Sequence, residues 1–205
     1  MHVAIAGNIG AGKTTLAHLL SKHYGWEVLP EAADTNPYLK DFYEDMPRWA
    51  FHVQIYFLTS RFQQVLEISR YPHNVVQDRT IYEDAYIFAR NLHTSGLMNE
   101  RDYQTYLQMF ESVMELVRPP DLIIYLEADL SKLMDQIRQR GRAYEKNIGE
   151  AYIAALTEHY RQWTGSYDKG PLLVINVNEL DYVRRPGDLQ FIIQQIDAAL
   201  TRTHH

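Results

Sequence analysis

Short apolar runs recur along the chain, separated by longer stretches in which apolar positions repeat every three or four residues. The runs are His2–Ala6, Glu27–Pro30, Asn74–Gln77, Leu122–Leu126 and Leu172–Val177. Near-continuous apolar runs of this length, bounded by turn residues, predict strands buried on both faces, and the stretches between them predict amphipathic helices. Strand and helix in alternation build βαβ units, so the pattern predicts an α/β fold: a five-stranded parallel sheet between two helical layers. No repeat, low-complexity tract or linker interrupts the pattern, and residues 1–205 read as one domain. Ligands of such sheets bind beyond the carboxyl ends of the strands. The residues just after each run are therefore where the chemistry is sought.

After the first run comes Gly7-Asn8-Ile9-Gly10-Ala11-Gly12-Lys13-Thr14, with Thr15 following. It fits G-x-x-x-x-G-K-[ST], and a helix-forming stretch from Thr14 to His23 follows it, as a phosphate-binding loop requires. The glycines let successive backbone N–H groups turn toward an anion, and the helix dipole adds positive potential. Lys13 can then reach the outer phosphates of a nucleoside triphosphate, and the Thr14 hydroxyl can ligate Mg²⁺. The fold is thus predicted to be P-loop NTPase-like, with a triphosphate bound at residues 7–14.

The other strand ends carry charge. Glu31 follows the second, Asp78-Arg79-Thr80 the third, and Glu127 and Asp129 the fourth. Phosphoryl transfer needs a group that orients and deprotonates the acceptor hydroxyl, a metal, and cations against the charge on the moving oxygens. Glu31 is placed to be the base, Asp78 to hold Mg²⁺ directly or through water, and arginines to supply positive charge. Taken singly, Glu31 equally suits a helix cap and Asp78-Arg79 a local ion pair. Arg138, Arg140 and Arg142 alternate and cannot share one helical face, so the helix is expected to end near Gly141 and pass into an arginine-rich lid over about residues 138–148. A solvated basic helix end would also satisfy that run.

The stretch from Arg48 to Ser69 predicts one long helix, rich in aromatic and aliphatic residues. Gln54 and Arg61 lie two turns apart on the face of Phe57 and Leu58. Unpaired polar groups among aromatics are costly to bury, but they suit a planar heteroaromatic ligand stacked on Phe57. Asp84, one turn before Phe88 on the next helix, could join them to read the edge of a nucleobase. A solvated polar row is the plainer reading of the same periodicity.

Composition narrows the classes. With 205 residues, 46% hydrophobic content, a net charge of −6 and no basic stripe, the chain has core enough for one domain and no nucleic-acid surface. It lacks cysteine, which suits a reducing cytoplasm, and it shows neither a signal peptide nor an apolar segment long enough to span a membrane. His204-His205 reads as natural or as a tag remnant.

Together these residues resemble the deoxynucleoside kinases, the family of deoxycytidine, deoxyguanosine, deoxyadenosine and mitochondrial thymidine kinases. The likeness runs over nearly the whole chain: Gly7–Thr14; Glu31 with Asn36-Pro37-Tyr38-Leu39 and Phe42-Tyr43; Trp49 with Gln54; Asp78-Arg79-Thr80-Ile81-Tyr82 through Phe88; and Arg138–Arg142 with Glu145. The resemblance implies ATP-dependent, Mg²⁺-assisted phosphorylation of a deoxynucleoside 5′-hydroxyl. It implies Glu31 as general base with Arg79 beside it, Tyr43 and Glu145 on the 3′-hydroxyl, and Gln54 on the base between Phe57 and Phe88. It also implies Arg140 and Arg142 in the lid, Tyr182 near the adenine of ATP, and a homodimer, here through a helix face such as Tyr103–Val117.

Arg61 and Asp84 match the branch that accepts adenine, cytosine and guanine, and Arg61 is expected to occupy the room a thymine methyl group needs. Two departures stand out: the usual Glu-Arg-Ser reads Asp78-Arg79-Thr80, and the usual Glu-Glu after the lid arginines reads Tyr144-Glu145. Two alternatives compete, a nucleoside monophosphate kinase of the same fold and a non-catalytic scaffold subunit. A carboxylate at Glu31 would repel the phosphate of a monophosphate acceptor. The intact set of Lys13, Thr14, Glu31 and Arg79 argues against a scaffold.

Overall fold

A computed structural model describes residues 1–33, 35–70, 73–145 and 148–203, without the side chains of Ala143 and Thr203. Two parts of the sequence reading, the Lys146-Asn147 portion of the lid and the terminal His204-His205, lie outside the described residues. Five strands form one parallel sheet: β1 His2–Gly7, β2 Glu27–Leu29, β3 Val75–Asp78, β4 Leu122–Glu127 and β5 Leu172–Asn176, in the order β2-β3-β1-β4-β5. Each lies within a residue or two of its apolar run. The clearest shift is in β3, which pairs Ile5 with Asp78 and so makes that carboxylate the last residue of the strand. β1 is buried along its whole length, as a central strand covered on both faces must be.

Helices cover the sheet: α1 Lys13–Tyr24, α2 Leu39–Glu44, α3 Met46–Arg70, α4 Ile81–Glu83, α5 Arg90–Thr94, α6 Glu100–Met114, α7 Leu130–Arg140, α8 Glu150–Ser166 and α9 Pro186–Thr203. Between α4 and α5 the chain continues as a π-helical stretch, Asp84–Ala89. Among the described residues no helix is long and apolar enough to cross a membrane. The helix expected over 103–117 ends at Met114; Leu116 and Val117 follow it, and Leu116 is exposed.

The main core joins the sheet to α1, α4, α6, α7, α8 and α9. A second cluster, Ala33, Leu39, Phe42, Ala50, Val53, Leu92 and Met98, lies under α2 and α3. Chain connections leave β1 and β3, adjacent strands, toward opposite edges of the sheet. Such a switch point opens a crevice at the carboxyl ends, and a cavity of about 470 Å³ lies there, walled on one side by the second cluster.

Candidate active site

The loop after β1 is shaped by two glycines that nothing larger could replace. Gly10 and Gly12 have φ of +86° and +91°; a Cβ would stand 2.6 Å from the Leu133 carbonyl oxygen at the first and 2.0 Å from the Tyr182 hydroxyl at the second. Asn8 ties the loop to α8, its Nδ2 donating to the Ile153 carbonyl at 3.0 Å and the Thr157 hydroxyl at 2.8 Å. Lys13 folds back so that Nζ donates to the Asn8 carbonyl at 3.0 Å. Burial, with the nearby charge of Arg79, lowers its pKa to about 8. Ile9, Gly10, Gly12, Lys13, Thr14 and Thr15 line the cavity, whereas Gly7, Asn8 and Ala11 support it from behind.

At the end of β3 the chain reverses through Arg79, whose φ of +77° is the only positive value of a non-glycine among the described residues. That conformation costs on the order of 1–2 kcal/mol and is held by the side chains around it. Arg79 Nε donates to Glu31 Oε1 at 2.5 Å, and Nη1 to Glu83 Oε1 at 3.1 Å and to the Tyr160 hydroxyl at 2.9 Å. The guanidinium carbon lies 4.5 Å from the Phe88 ring centroid. Glu83 is wholly buried. Its Oε1 accepts from the Gly7 N–H at 3.1 Å, and its Oε2 from the Thr80 N–H at 2.6 Å in a capping box with Thr80. Tyr160 O–H lies within donating distance of both Glu83 Oε1 and the Gly7 carbonyl.

Burial acts to raise the pKa of Glu31, but the charges of Arg79, Lys13 and Arg61 outweigh it and hold the carboxylate down to about 2. Asp78 moves the other way, raised by burial and by the charge of Glu31. Its Oδ2 accepts from the Thr14 hydroxyl at 2.5 Å, while its buried Oδ1 has no hydrogen-bond partner. A hydroxyl and a carboxylate with a spare oxygen are hard donors that fit Mg²⁺. Among the described residues no group of three or more His, Cys, Asp or Glu could hold a metal, so such an ion would complete its shell with phosphate oxygens and water.

The far end of the cavity is lined by Ala33, Leu39, Phe42, Tyr43, Val53, Gln54, Phe57, Asp84, Phe88 and Tyr152. Gln54 and Asp84 are buried, and Gln54 Oε1 and Asp84 Oδ2 lack hydrogen-bond partners. Burial raises the pKa of Asp84 to about 6 against the pull of Arg61 and Arg79. Arg61 itself does not line the cavity. It stands behind Asp84, Nε 3.5 Å from Oδ2, with Nη1 donating to the Asp78 carbonyl at 3.0 Å. The expectation that it fills the room of a thymine methyl group is therefore corrected: Asp84, not Arg61, lines the cavity.

The helix ends where expected, α7 stopping at Arg140 with Gly141 as its left-handed cap. Arg140 and Arg142 line the cavity; Arg140 makes a two-point ion pair with Glu145, and Arg142 Nη1 lies 3.7 Å from the same carboxylate. Tyr144 stacks on Tyr43. Two expected nucleotide contacts lie elsewhere. Arg138 is exposed on α7 and pairs with Asp135 and Glu150 because its helical position faces away from the crevice. Tyr182 is buried behind the loop, its hydroxyl 3.2 Å from the Gly12 carbonyl, and does not line the cavity.

Sequence reasoning passed over Glu83, Tyr160, Tyr152, Gln136 and Gln139. Only Glu83 carried a local signal, since Thr80-Ile-Tyr-Glu83 is a capping-box pattern; the others reach the site from α7 and α8 through tertiary packing alone.

Comparison with known proteins agrees with this geometry. The deoxynucleoside kinase family model matches residues 3–201. The deoxyadenosine/deoxycytidine kinase of Bacillus subtilis (strain 168) is 38% identical over 200 residues, covering 97% of this chain and 92% of the relative. The deoxyadenosine kinase of Dictyostelium discoideum is 42% identical over 179 residues, 87% of this chain and 73% of that one. A solved structure of deoxyadenosine kinase from M. mycoides, with products dCMP and a flexible dCDP bound, superposes with a TM-score of 0.87 at 31% identity, covering 97% of this chain and all of that one. A triphosphate loop facing a carboxylate–arginine pair across one cavity, and a family match over nearly the whole length, give the same answer: the chain belongs to the deoxynucleoside kinase family and is an ATP-dependent kinase of deoxynucleosides.

Proposed function

We propose that the enzyme phosphorylates the 5′-hydroxyl of deoxyadenosine, deoxycytidine or deoxyguanosine in preference to thymidine, for nucleotide salvage. The reading rests on one observation: Glu31, paired with Arg79 at 2.5 Å, shares a cavity with the Lys13 loop at one end and, at the other, Gln54 and Asp84, whose Oε1 and Oδ2 lack hydrogen-bond partners. The base stacks between Phe57 and Phe88, and its exocyclic amine or ring N–H donates to Asp84. Tyr43 and Glu145 hold the 3′-hydroxyl. Glu31 orients the 5′-hydroxyl and takes its proton as the phosphoryl group leaves ATP. A carboxylate this acidic is a weak base, but in a loose transition state the alcohol loses its proton late and orientation matters more than basicity. Lys13, Arg140 and Arg142 face the phosphates and offset the charge that gathers there. Mg²⁺, held by Thr14 and Asp78, would further neutralise the phosphate oxygens.

The test is a panel of the four deoxynucleosides with ATP and Mg²⁺, reading ADP release. The expected ranking puts thymidine last; thymidine as the best substrate overturns the reading. Residues 1–205 act as one domain in a homodimer of the cytoplasm. The dimer uses α6, where Met109 is exposed, together with Tyr86. Light scattering should give twice 24.0 kDa, and a monomer at working concentration would refute that part.

A further inference from the structure

Gln64 lies three residues beyond Arg61 on α3, beside the carboxyl ends of β2 and β3. It does not line the cavity, yet both ends of its amide are committed. Oε1 accepts from Arg61 Nη1 at 3.2 Å and from Gln77 Nε2 at 3.0 Å, and Nε2 donates to the Pro30 carbonyl at 2.7 Å. Two donors at one end and a carbonyl at the other fix which end is oxygen. Gln77 is fixed in turn by His2, whose Nε2 lies 3.0 Å from Gln77 Oε1. Burial lowers the His2 pKa to about 4, so near neutral pH the ring carries one proton and gives it to Gln77.

Each partner of Gln64 adjoins a working group. Pro30 precedes Glu31, Gln77 precedes Asp78, and Arg61 pairs with Asp84. The guanidinium of Arg61 has few restraints, because Nε and Nη2 have no hydrogen-bond partner. Its plane is set by Nη1, through Gln64 and the Asp78 carbonyl, and by the charge of Asp84. We propose that Gln64 is a positioning residue for base selection: it holds Arg61 so that Arg61 fixes the orientation in which Asp84 meets the base. The proposal rests on the reading above of Asp84 as a base-contacting group. Loss of the Gln64 oxygen leaves Arg61 free to pivot on one remaining acceptor, and Asp84 then loses its fixed partner.

The experiment compares kcat/KM for deoxyadenosine and for thymidine in the wild type, Gln64→Met and Gln64→Glu. The ratio of the two is independent of the folded fraction, so destabilisation alone does not move it. Met keeps the length without an acceptor, and the ratio should fall about tenfold, the scale of one hydrogen bond to a charged group. Glu still accepts from Arg61 while losing the bond to Pro30, and should keep the ratio within about twofold. A wild-type ratio in Gln64→Met, or an equal fall in both variants, overturns the proposal; Gln64→Ser replaces Met with the same two outcomes if Met does not fold. A wild type that prefers thymidine overturns the underlying reading, whereas a discriminating wild type with an unmoved Met variant overturns this inference alone.

Discussion

If Asp84 must be ionised to accept from a base amine, activity toward deoxyadenosine falls as the pH drops through its pKa. Burial of this carboxyl, 2% exposed, raises that pKa to about 6. Arg61 on α3 and Arg79 after β3 oppose the rise, Glu83 and Glu31 add to it, and Tyr106 on α6 also faces the group. With a pKa near 6, roughly nine-tenths of the enzyme is ionised at pH 7 and roughly one-tenth at pH 5, so kcat/KM for deoxyadenosine falls about tenfold over that interval. Glu31, held down to about 2, stays ionised throughout and contributes nothing to the slope. Lys13, with its pKa near 8, stays largely protonated up to pH 7 and loses about half its protons only at the alkaline end of the assay, pH 8. The assay is initial rates at limiting deoxyadenosine and saturating ATP and Mg²⁺ between pH 5 and pH 8, for the wild type and Asp84→Asn. An asparagine cannot titrate, so the variant should be slower and flat below pH 7. A wild-type profile flat from pH 7 to pH 5 refutes the reasoning. So does an acid limb that survives in Asp84→Asn, which would move the titration to Asp78.

Glu31→Gln should lower kcat by at least about 100-fold with ATP affinity nearly unchanged by calorimetry, and near-normal turnover would remove Glu31 as the base. Gly12→Ala forces a Cβ into the Tyr182 hydroxyl at 2.0 Å and a strained φ of +91°, so a loss of about 1–3 kcal/mol and weaker ATP binding are expected in thermal shift assays. Tyr182→Phe in that background should recover part of the loss, because the ring carbon stands at 3.3 Å; an unshifted Tm in Gly12→Ala contradicts the packing. His2 has a folded pKa of about 4 against an unfolded value of 6.5, so between these values the unfolded chain binds more protons. Its contribution, about 3 kcal/mol, is complete above pH 6.5 and is lost as the pH falls toward 4. Urea melts at pH 7 and pH 4.5 should therefore show a larger acid loss for the wild type than for His2→Gln, and parallel losses would count against a buried neutral His2.

The sheet and the phosphate loop were legible because each leaves a local mark: apolar runs for strands buried on both faces, and glycines where the backbone must approach an anion. Glu31, Asp78 and Arg79 were legible as charges placed where strands end. What the sequence hid is whatever depends on which side of an element faces the crevice. Arg138 and Arg140 are two residues apart, yet one turns to solvent and the other to the cavity, because α7 rotates about 200° between them. Arg61 shares a helical face with Gln54 but lies deeper, behind Asp84. The π-helical stretch beginning at Asp84 left no pattern, since nothing in Asp84-Ala-Tyr-Ile-Phe-Ala89 marks a wider turn. Tyr160 and Tyr152 reach the site from α8, beyond any local signal.

Glu83 explains how the two ends of the site keep one geometry. Its burial without a charge partner would cost several kcal/mol, and it has four donors instead: the Gly7 and Thr80 N–H groups, Arg79 and the Tyr160 hydroxyl. Three of these lie in different parts of the site. Gly7 opens the phosphate loop, Thr80 caps the helix that carries Asp84 and Phe88, and Arg79 holds Glu31 from a left-handed backbone that only such a network can stabilise. Because a carboxylate accepts from all of them at fixed distances, a displacement of the loop toward or away from the helix stretches a bond to a buried charge. The Gly7 loop and Glu31 are therefore set relative to each other by a residue that does not itself line the cavity. Phosphoryl transfer, which depends on the in-line placement of two oxygens, is served by that rigidity.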